Sequence, residues 1–330
     1  MTAETVHRVF PKDCIPVVFA TDNGYIPPLC VALASLIRHT HPAKKYDVII
    51  LCIGRAYELL SPLLPMFCRE NISVRAVDLK HASVFFTSNH ISLATYNRLY
   101  IPELLPEYDK VLYLDCDIIV CADIAELYNL PIGDNYLAAC EDYYLTQGSE
   151  DYVPPAKAAL REQGCPVEGH INAGILVMNL AAMRRDHIQQ RMLECAAAQN
   201  HYYHDQCVLN IICRGKIYPL PLAWNMCIMG LNRETMSEWH YNQTAELLRS
   251  HQYRIVHFTA AKPWKHLRRP YSHLWWQEAR HVPFPVVKKL LHVSYPVWIG
   301  LRLILALLPI PERYAGMASY HLYPVFRWNA

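Results

Sequence analysis

The chain has 330 residues, of which 53% are hydrophobic and 18% are charged. This composition is that of an ordinary globular protein, and it excludes a chain too polar to form a sizeable core. The length allows one large α/β domain with an appendage, or two domains. The net charge of +2 points to no particular partner as a total.

The charge is distributed unevenly along the chain. Residues 262–330 carry ten Lys and Arg but only two acids, Glu278 and Glu312, which leaves a net charge of −6 for residues 1–261. Such asymmetry indicates a C-terminal segment that meets an anionic surface. We therefore divide the chain into a main domain at residues 1–265 and a basic, aromatic segment at residues 266–330.

The composition of this segment favours a membrane interface. It interleaves its basic residues with tryptophans, namely Trp275, Trp276, Trp298 and Trp328. Basic, aromatic and aliphatic residues together are typical of a segment lying on anionic lipid. The apolar stretch at residues 295–309 is interrupted by Arg302 and is too short to predict a membrane span. A helical pair packed on the core is the alternative, and nucleic-acid binding is not expected because no motif for it is present.

The twelve cysteines include no C-x-x-C pair and no Cys/His cluster at zinc spacing. Residues 1–8 contain no apolar run of the kind found in secretory signals. We therefore expect free, mostly buried cysteines in a protein of the reducing cytoplasm.

In the first part of the chain, predicted strands alternate with predicted helices. Apolar runs predict strands over residues 15–20, 46–53 and 72–79. A helix opened by Pro27 and Pro28 is predicted to reach residue 37, and another is predicted over residues 59–70. This order predicts a parallel sheet with helices on its faces, in which ligands bind beyond the carboxyl ends of the strands. The turn at residues 21–25 occupies such a position.

Residues 110–120 predict a buried strand that ends in two carboxylates, Asp115 and Asp117. Because strand side chains alternate, both should point to the same side, with Cα atoms about 6.5 Å apart. Two like charges placed together need a positive partner, and carboxylates favour a hard cation such as magnesium, calcium or manganese. The alternative is a pair of aspartates that merely caps a turn.

Two glycine-rich phosphate loops are missing from the sequence. No G-x-G-x-x-G follows the first predicted strand, and no G-x-x-x-x-G-K-[ST] occurs anywhere. Any bound phosphates are therefore expected to be held by a metal ion and by side chains.

Three later stretches carry further candidate residues. Residues 169–180 predict a second buried strand, where Asn172 and small neighbours allow a ligand close to the backbone, or simply form a tight turn. A helix is predicted over residues 183–199, and Asp205 is a candidate N-cap of a following helix. A third apolar strand delivers His257 and the loop after it delivers Lys262, which together favour an anion site.

Taken together, these pieces resemble glycosyltransferase family 8, which includes bacterial lipopolysaccharide and lipo-oligosaccharide α-galactosyl- and α-glucosyltransferases and, more distantly, glycogenin. The matching segments occur in the order of the family and cover residues 15–265, namely residues 18–22, 94–99, 111–117, 172–174, 205–206 and 257–264. The resemblance implies an α/β fold of the GT-A type, with a Rossmann-like mixed sheet and helices on both faces.

The resemblance also implies a set of site residues. Manganese, with magnesium as the other option, would be held by Asp115, Asp117 and His257. Uridine would be bound by Ala20, Asp22 and Tyr25, and Lys262 would contact the phosphates. The donor sugar would be surrounded by Arg98, Asn172, Asp205 and Gln206, with Gln206 near the reacting face of the anomeric carbon. Asp205 and Gln206 are thus the expected catalytic residues.

The activity implied is retaining transfer of glucose or galactose from a UDP-sugar to a lipopolysaccharide or other cell-surface glycan, at the inner face of the cytoplasmic membrane. Alternatives are transfer to a protein or soluble acceptor, including self-glucosylation, and binding of a nucleotide sugar without transfer. Gln206 is a poor nucleophile and Asp205 is expected to hold sugar hydroxyls, so front-face transfer is favoured over a double displacement.

Overall fold

A computed structural model describes residues 5–79, 93–148, 154–228, 237–259, 262–265, 271–283 and 285–286. Within these residues the strands are β1 (Ile15–Thr21), β2 (Tyr46–Cys52), β3 (Ile72–Asp78), β4 (Lys110–Leu114), β5 (Ile118–Val120), β6 (Leu137–Glu141), β7 (Ile171–Asn179), β8 (Ile217–Pro219), β9 (Met226–Cys227) and β10 (Ile255–His257).

The α-helices of the same residues are α1 (Ile26–Arg38), α2 (Ala56–Leu60), α3 (Ile101–Leu104), α4 (Ala125–Tyr128), α5 (Tyr143–Gln147), α6 (Pro154–Glu162), α7 (Leu180–Arg185), α8 (Ile188–Ala198), α9 (His204–Ile212), α10 (Glu238–Ser250) and α11 (Ser272–Ala279). Short 3₁₀ helices span Asn23–Tyr25, Ser61–Met66, Leu93–Tyr100 and Leu222–Trp224.

A mixed sheet forms the centre of the described structure. Its seven strands run in the order β3-β2-β1-β4-β7-β6-β8. The first four are mutually parallel, whereas β7 is antiparallel to both β4 and β6. The parallel arrangement of β1, β2 and β3 confirms the prediction from the β-α-β-α-β order.

Helices cover both faces of this sheet. Alternate side chains of β1 enter opposite cores, because the side chains of a strand alternate between faces. Val17 joins the core that contains Leu29 of α1. Val18 joins the core that contains Val208 of α9 and Met192 of α8.

The prediction of one continuous strand over residues 110–120 is wrong. The strand β4 stops at Leu114, and β5 then pairs with β10 in a second, three-stranded sheet. Asp115 and Asp117 therefore lie in the bend between two sheets and not at the end of one strand. The regular alternation used to orient them does not apply there, and tertiary contacts place their side chains instead.

Other helix predictions need correction as well. The helix predicted over residues 59–70 is a short α2 followed by a 3₁₀ helix that contains Pro62 and Pro65, because proline cannot donate the backbone hydrogen bond of an α-helix. The helix predicted over residues 183–199 is divided between α7 and α8, where His187 has a left-handed φ of 53°. Asp205 does not cap α9, whose N-cap is Tyr203.

No helix among the described residues is long and apolar enough to cross a membrane. The apolar stretch at residues 295–309 and most of the basic, aromatic segment lie outside the described residues. Trp275 and Trp276, two of the four tryptophans on which the predicted contact with lipid is based, are instead buried in the core that contains α1. For the rest of that segment the contact with lipid stays a prediction from the sequence.

Candidate active site

The predicted site residues meet at one edge of the large sheet. The carboxyl ends of β1 and β4 are neighbours there, and antiparallel β7 brings its first residues to the same edge. Asp115 N–H donates to the carbonyl of Gly174 at 2.8 Å, which joins these strands beyond β4. A cavity of about 1090 Å³ opens at this edge, and it is lined by Ala20, Asp22, Tyr25, Arg98, Asp115, Asp117, Asn172, Asp205, Gln206, His257 and Lys262, among others.

Asp115, Asp117 and His257 form a compact cluster in this cavity. One ligand atom from each lies within 4.8 Å of the others. His257 Nε2 is 3.3 Å from Asp117 Oδ1 and 3.8 Å from Asp115 Oδ2. Burial opposes ionisation of Asp117, but Lys262 and His257 beside it hold the pKa of that carboxyl well below its usual range. The cluster thus presents carboxylate oxygens beside an imidazole nitrogen.

Gly174 makes room for this cluster. A Cβ atom at this position would lie 2.2 Å from His257 Cε1 and 2.9 Å from Asp115 Oδ2. The small residues predicted to admit a ligand therefore admit, at Gly174, the protein's own imidazole and carboxylate.

Lys262 lies at the border of the cluster. Its ammonium donates to the Asp117 carboxylate, to the carbonyl of Phe258 at 2.8 Å and to the carbonyl of Thr259 at 3.2 Å. These contacts hold a positive charge beside the carboxylates, at the wall of the same cavity.

Arg98 connects Asp115 of this cluster to a further buried carboxylate, Asp205. Its guanidinium is buried and lies 3.0 Å from Asp115 Oδ1 and 2.9 Å from Asp205 Oδ2. The same group stacks on Tyr113, with its carbon 4.3 Å from the ring centroid. Burial raises the pKa of Asp205, an effect that Arg98 and the Thr95 hydroxyl oppose. Arg98 is therefore the counter-ion that permits two carboxylates to lie in this wall.

Gln206 is held at three points. Its Oε1 accepts from Ala173 N–H at 3.1 Å, and its Nε2 lies 3.1 Å from Asp142 Oδ2 and 3.2 Å from His170 Nε2. His170 Nδ1 is 2.8 Å from the carbonyl of Pro166. Since a carbonyl only accepts, Nδ1 carries a hydrogen and Nε2 of the neutral ring accepts from Gln206. Both amide hydrogens are engaged, and the carbonyl oxygen is on the side of β7.

Asp22 and Tyr25 form the turn after β1. Asp22 Oδ1 accepts from Tyr25 N–H at 3.1 Å and so caps the 3₁₀ helix. The Tyr25 ring packs edge-on against Trp264, with centroids 6.2 Å apart. These contacts fix one wall of the cavity at the carboxyl end of β1.

Comparison with known proteins assigns the chain to a family. The sequence model described as Glycosyl transferase family 8 matches residues 16–268. The chain belongs to glycosyl transferase family 8. The resemblance stated from the sequence motifs is thereby confirmed.

Two relatives illustrate the extent of similarity to other members of glycosyl transferase family 8. A putative glycosyltransferase of Haemophilus influenzae is 28% identical over 204 residues, which are 61% of this chain and 60% of that protein. The glycosyltransferase GlyF of Streptococcus pneumoniae is 28% identical over 270 residues, which are 79% of this chain and 60% of that protein. The chain thus matches 60% of the length of each of these relatives.

Solved structures confirm the fold. The bifunctional glycosyltransferase WbbM in its apo form has a TM-score of 0.71 at 24% identity, covering 86% of this chain and 53% of that one. The galactosyltransferase LgtC, solved with donor and acceptor sugar analogues, has a TM-score of 0.62 at 23% identity, covering 87% of this chain and all of the other. The GT-A fold predicted for this family 8 chain is therefore correct.

Three polar residues near the site were not singled out from the sequence. Asp142 and His170 contact Gln206, and Asn225 lies between Asn172 and His257. Asp142 follows β6, a strand that the sequence analysis did not predict. Asn225 belongs to no segment used in the sequence analysis. His170 lies within residues 169–180, two positions before Asn172, but no pattern there distinguishes it.

The first prediction concerns the role of Arg98 in stability. Arg98→Met should lower the free energy of unfolding by about 3–5 kcal/mol, because it leaves Asp115 and Asp205 without their shared counter-ion. Urea denaturation measures this loss. Arg249→Met is the matched control, since Arg249 and Glu246 form an exposed pair whose loss should cost about 0.5 kcal/mol. Equal losses in the two variants would contradict the assignment.

Proposed function

We propose that the chain is a retaining, metal-dependent glycosyltransferase that moves glucose or galactose from a UDP-sugar to a glycan acceptor. The observation that carries this proposal is one cavity holding two groups of side chains. One group is the Asp115, Asp117 and His257 cluster, and the other is Arg98, Asp205 and Gln206, which adjoins the first through the Arg98–Asp115 ion pair. The first group suits a diphosphate with its cation, and the second suits a sugar.

The residues of the cluster fit a divalent cation. Two carboxylate oxygens and an imidazole nitrogen are ligands that manganese accepts, and the carboxylates also suit magnesium. The Asp117 side chain is nine-tenths buried and pairs with the ammonium of Lys262. Asp115 pairs instead with the guanidinium of Arg98. We propose manganese, held by Asp115, Asp117 and His257. When bound, the ion would neutralise the developing charge of the leaving diphosphate.

The other cavity residues take complementary roles in this proposal. Ala20, Asp22 and Tyr25 bind the uridine, at the turn after β1. The Lys262 ammonium, which contacts Asp117 of the cluster, would also pair with the phosphates. Asn172 and Asp205 hold hydroxyl groups of the donor sugar, and Arg98 keeps Asp205 ionised and in place. These roles are those that the resemblance to the family implies, and the presence of all these residues in the wall of one cavity supports them.

The hydrogen bonds in the sugar region favour front-face transfer. Asp205 accepts from the Thr95 hydroxyl at 2.5 Å and pairs with Arg98 at 2.9 Å, so both of its oxygens are engaged. The Gln206 amide is neutral and held by three partners. Neither group is a free nucleophile of the kind that a double displacement requires. The leaving phosphate would accept the proton of the attacking hydroxyl, and the Gln206 carbonyl dipole would face the positive charge at the anomeric carbon.

The first test addresses the metal and nucleotide site. Asp115→Asn and Asp117→Asn should each abolish manganese-dependent binding of UDP, because a neutral amide replaces an anionic ligand. Isothermal titration calorimetry with UDP, with and without manganese, measures this effect. Asp109→Asn is the control, since that side chain is 85% exposed and does not line the cavity. Unchanged UDP affinity in the cluster variants would rule out the metal assignment.

A second test addresses the mechanism. Acid-quenched protein incubated with UDP-glucose or UDP-galactose should carry no hexose on Asp205, because the Thr95 and Arg98 contacts occupy that carboxylate. Peptide mass spectrometry of the wild-type protein and of a slowed Gln206→Ala variant provides the measurement. A covalent hexose on Asp205 in either protein would establish a double displacement instead.

The basic, aromatic composition of residues 266–330 favours a glycolipid or lipopolysaccharide acceptor at the inner face of the cytoplasmic membrane. The other candidate is a protein or soluble acceptor, including the chain itself. With radiolabelled UDP-hexose and manganese, label should pass to added lipo-oligosaccharide and not to the protein. Labelling of the protein without any added acceptor would favour self-glycosylation.

A further inference from the structure

Asn225 links His257 of the Asp115, Asp117 and His257 cluster to Asn172. It follows the 3₁₀ helix at Leu222–Trp224 and directly precedes β9, and only 1% of its surface is exposed. Its amide lies between the side chains of Asn172 and His257, which both line the cavity. One end is 2.8 Å from Asn172 Oδ1, and the other is 2.9 Å from His257 Nδ1. No motif of the sequence pointed to this residue.

The direction of each hydrogen bond follows from one backbone group. Gly174 N–H donates to the Asn172 side chain at 3.0 Å, so the atom that receives it is the oxygen Oδ1. The Asn225 atom beside that oxygen must be a donor, which is Nδ2. The remaining oxygen of Asn225 therefore faces His257 Nδ1.

This direction determines what the two neighbours present to the cavity. Because the Asn225 oxygen only accepts, His257 Nδ1 carries a hydrogen, and Nε2 is the nitrogen that faces Asp115 and Asp117. Asn172 Oδ1 accepts hydrogen bonds from both Gly174 and Asn225, so the Asn172 amide nitrogen Nδ2 is the atom that can donate hydrogen bonds to a ligand. Among the described residues Nδ2 has no hydrogen-bond partner, and the side chain lines the cavity.

We infer that Asn225 is a positioning residue that fixes both the metal-facing nitrogen of His257 and the hydrogen-bond donor of Asn172. The inference rests on the proposed function, since it presumes that His257 binds a cation and that Asn172 binds the sugar. A partner on the distal nitrogen of a metal-binding histidine fixes its tautomer and ring orientation. Asn225 also orients the Asn172 amide that would bind the sugar. One buried side chain would thus support both metal binding and recognition of the UDP-sugar.

Two substitutions of similar size separate these roles. Asn225→Asp keeps an oxygen for His257 Nδ1–H but loses the donor to Asn172, whose oxygen would then face a carboxylate. Asn225→Leu loses both interactions. If Asn225 acted only by packing, the aspartate variant, which buries a charge, would be at least as impaired as the leucine variant in every measurement.

The readout is binding measured by calorimetry on the full chain, with thermal unfolding as the check that each variant is folded. Manganese alone should bind Asn225→Asp as tightly as the wild type or more tightly, whereas Asn225→Leu should lose about 10–100-fold in manganese affinity. The preference for UDP-galactose or UDP-glucose over UDP should fall about fivefold to tenfold in both variants, as expected for one lost hydrogen bond.

Four other outcomes would contradict the inference or the proposed function. Equal loss of manganese affinity in both variants would overturn the role of Asn225 toward His257. An unchanged preference for the UDP-sugar in Asn225→Asp would overturn its role toward Asn172. A wild-type protein that binds manganese but no UDP-sugar would refute the proposed function and the role of Asn225 in orienting Asn172 toward the sugar. The manganese measurements would still decide whether Asn225 orients His257. A wild-type protein that binds neither refutes both proposals.

Discussion

Three of the carboxylates in the wall of the cavity repel one another, and this repulsion is the constraint on which the site depends. Asp115, Asp117 and Asp205 are each at least three-quarters buried in their side chains. Like charges in such surroundings are retained only when cations or hydrogen-bond donors compensate them. Arg98 pairs with Asp115 and Asp205, while Lys262 and His257 pair with Asp117. A divalent cation bound between Asp115 and Asp117 would compensate the negative charge of both carboxylates.

The fold brings these charges together from distant parts of the chain. The bend after β4 supplies the two aspartates, β10 supplies His257, and the start of α9 supplies Asp205. The antiparallel strand β7 brings Gly174 and Asn172 to the same edge, where the missing side chain of Gly174 leaves space for His257. The site therefore depends on the switch from parallel to antiparallel pairing between β4 and β7.

Much of this arrangement could be predicted from the sequence because its signals are local. Apolar runs identify β1, β2 and β3, and the spacing of Asp115 and Asp117 predicts two carboxylates close together whatever the exact course of the backbone. The break at Asp115 could not be predicted, because the residues on both sides are equally apolar and only pairing with β10 separates β5 from β4. The helix prediction over residues 59–70 likewise gave too little weight to Pro62 and Pro65.

The supporting residues were beyond such reasoning for a different reason. Asn225 meets Asn172 across 53 positions of sequence and His257 across 32 positions. Asp142 meets Gln206 across 64 positions. A single buried asparagine or aspartate carries no local pattern that distinguishes it from a turn residue, so only the folded chain reveals what it orients.

The central claim is that this cavity activates a UDP-hexose with the help of a divalent metal. Release of UDP from UDP-glucose and from UDP-galactose, measured with manganese and with excess chelator, tests it most directly. We expect UDP release from one of the two sugars, dependent on manganese and abolished by the chelator. Release that is unaffected by the chelator, or no release from either sugar with manganese present, would contradict it.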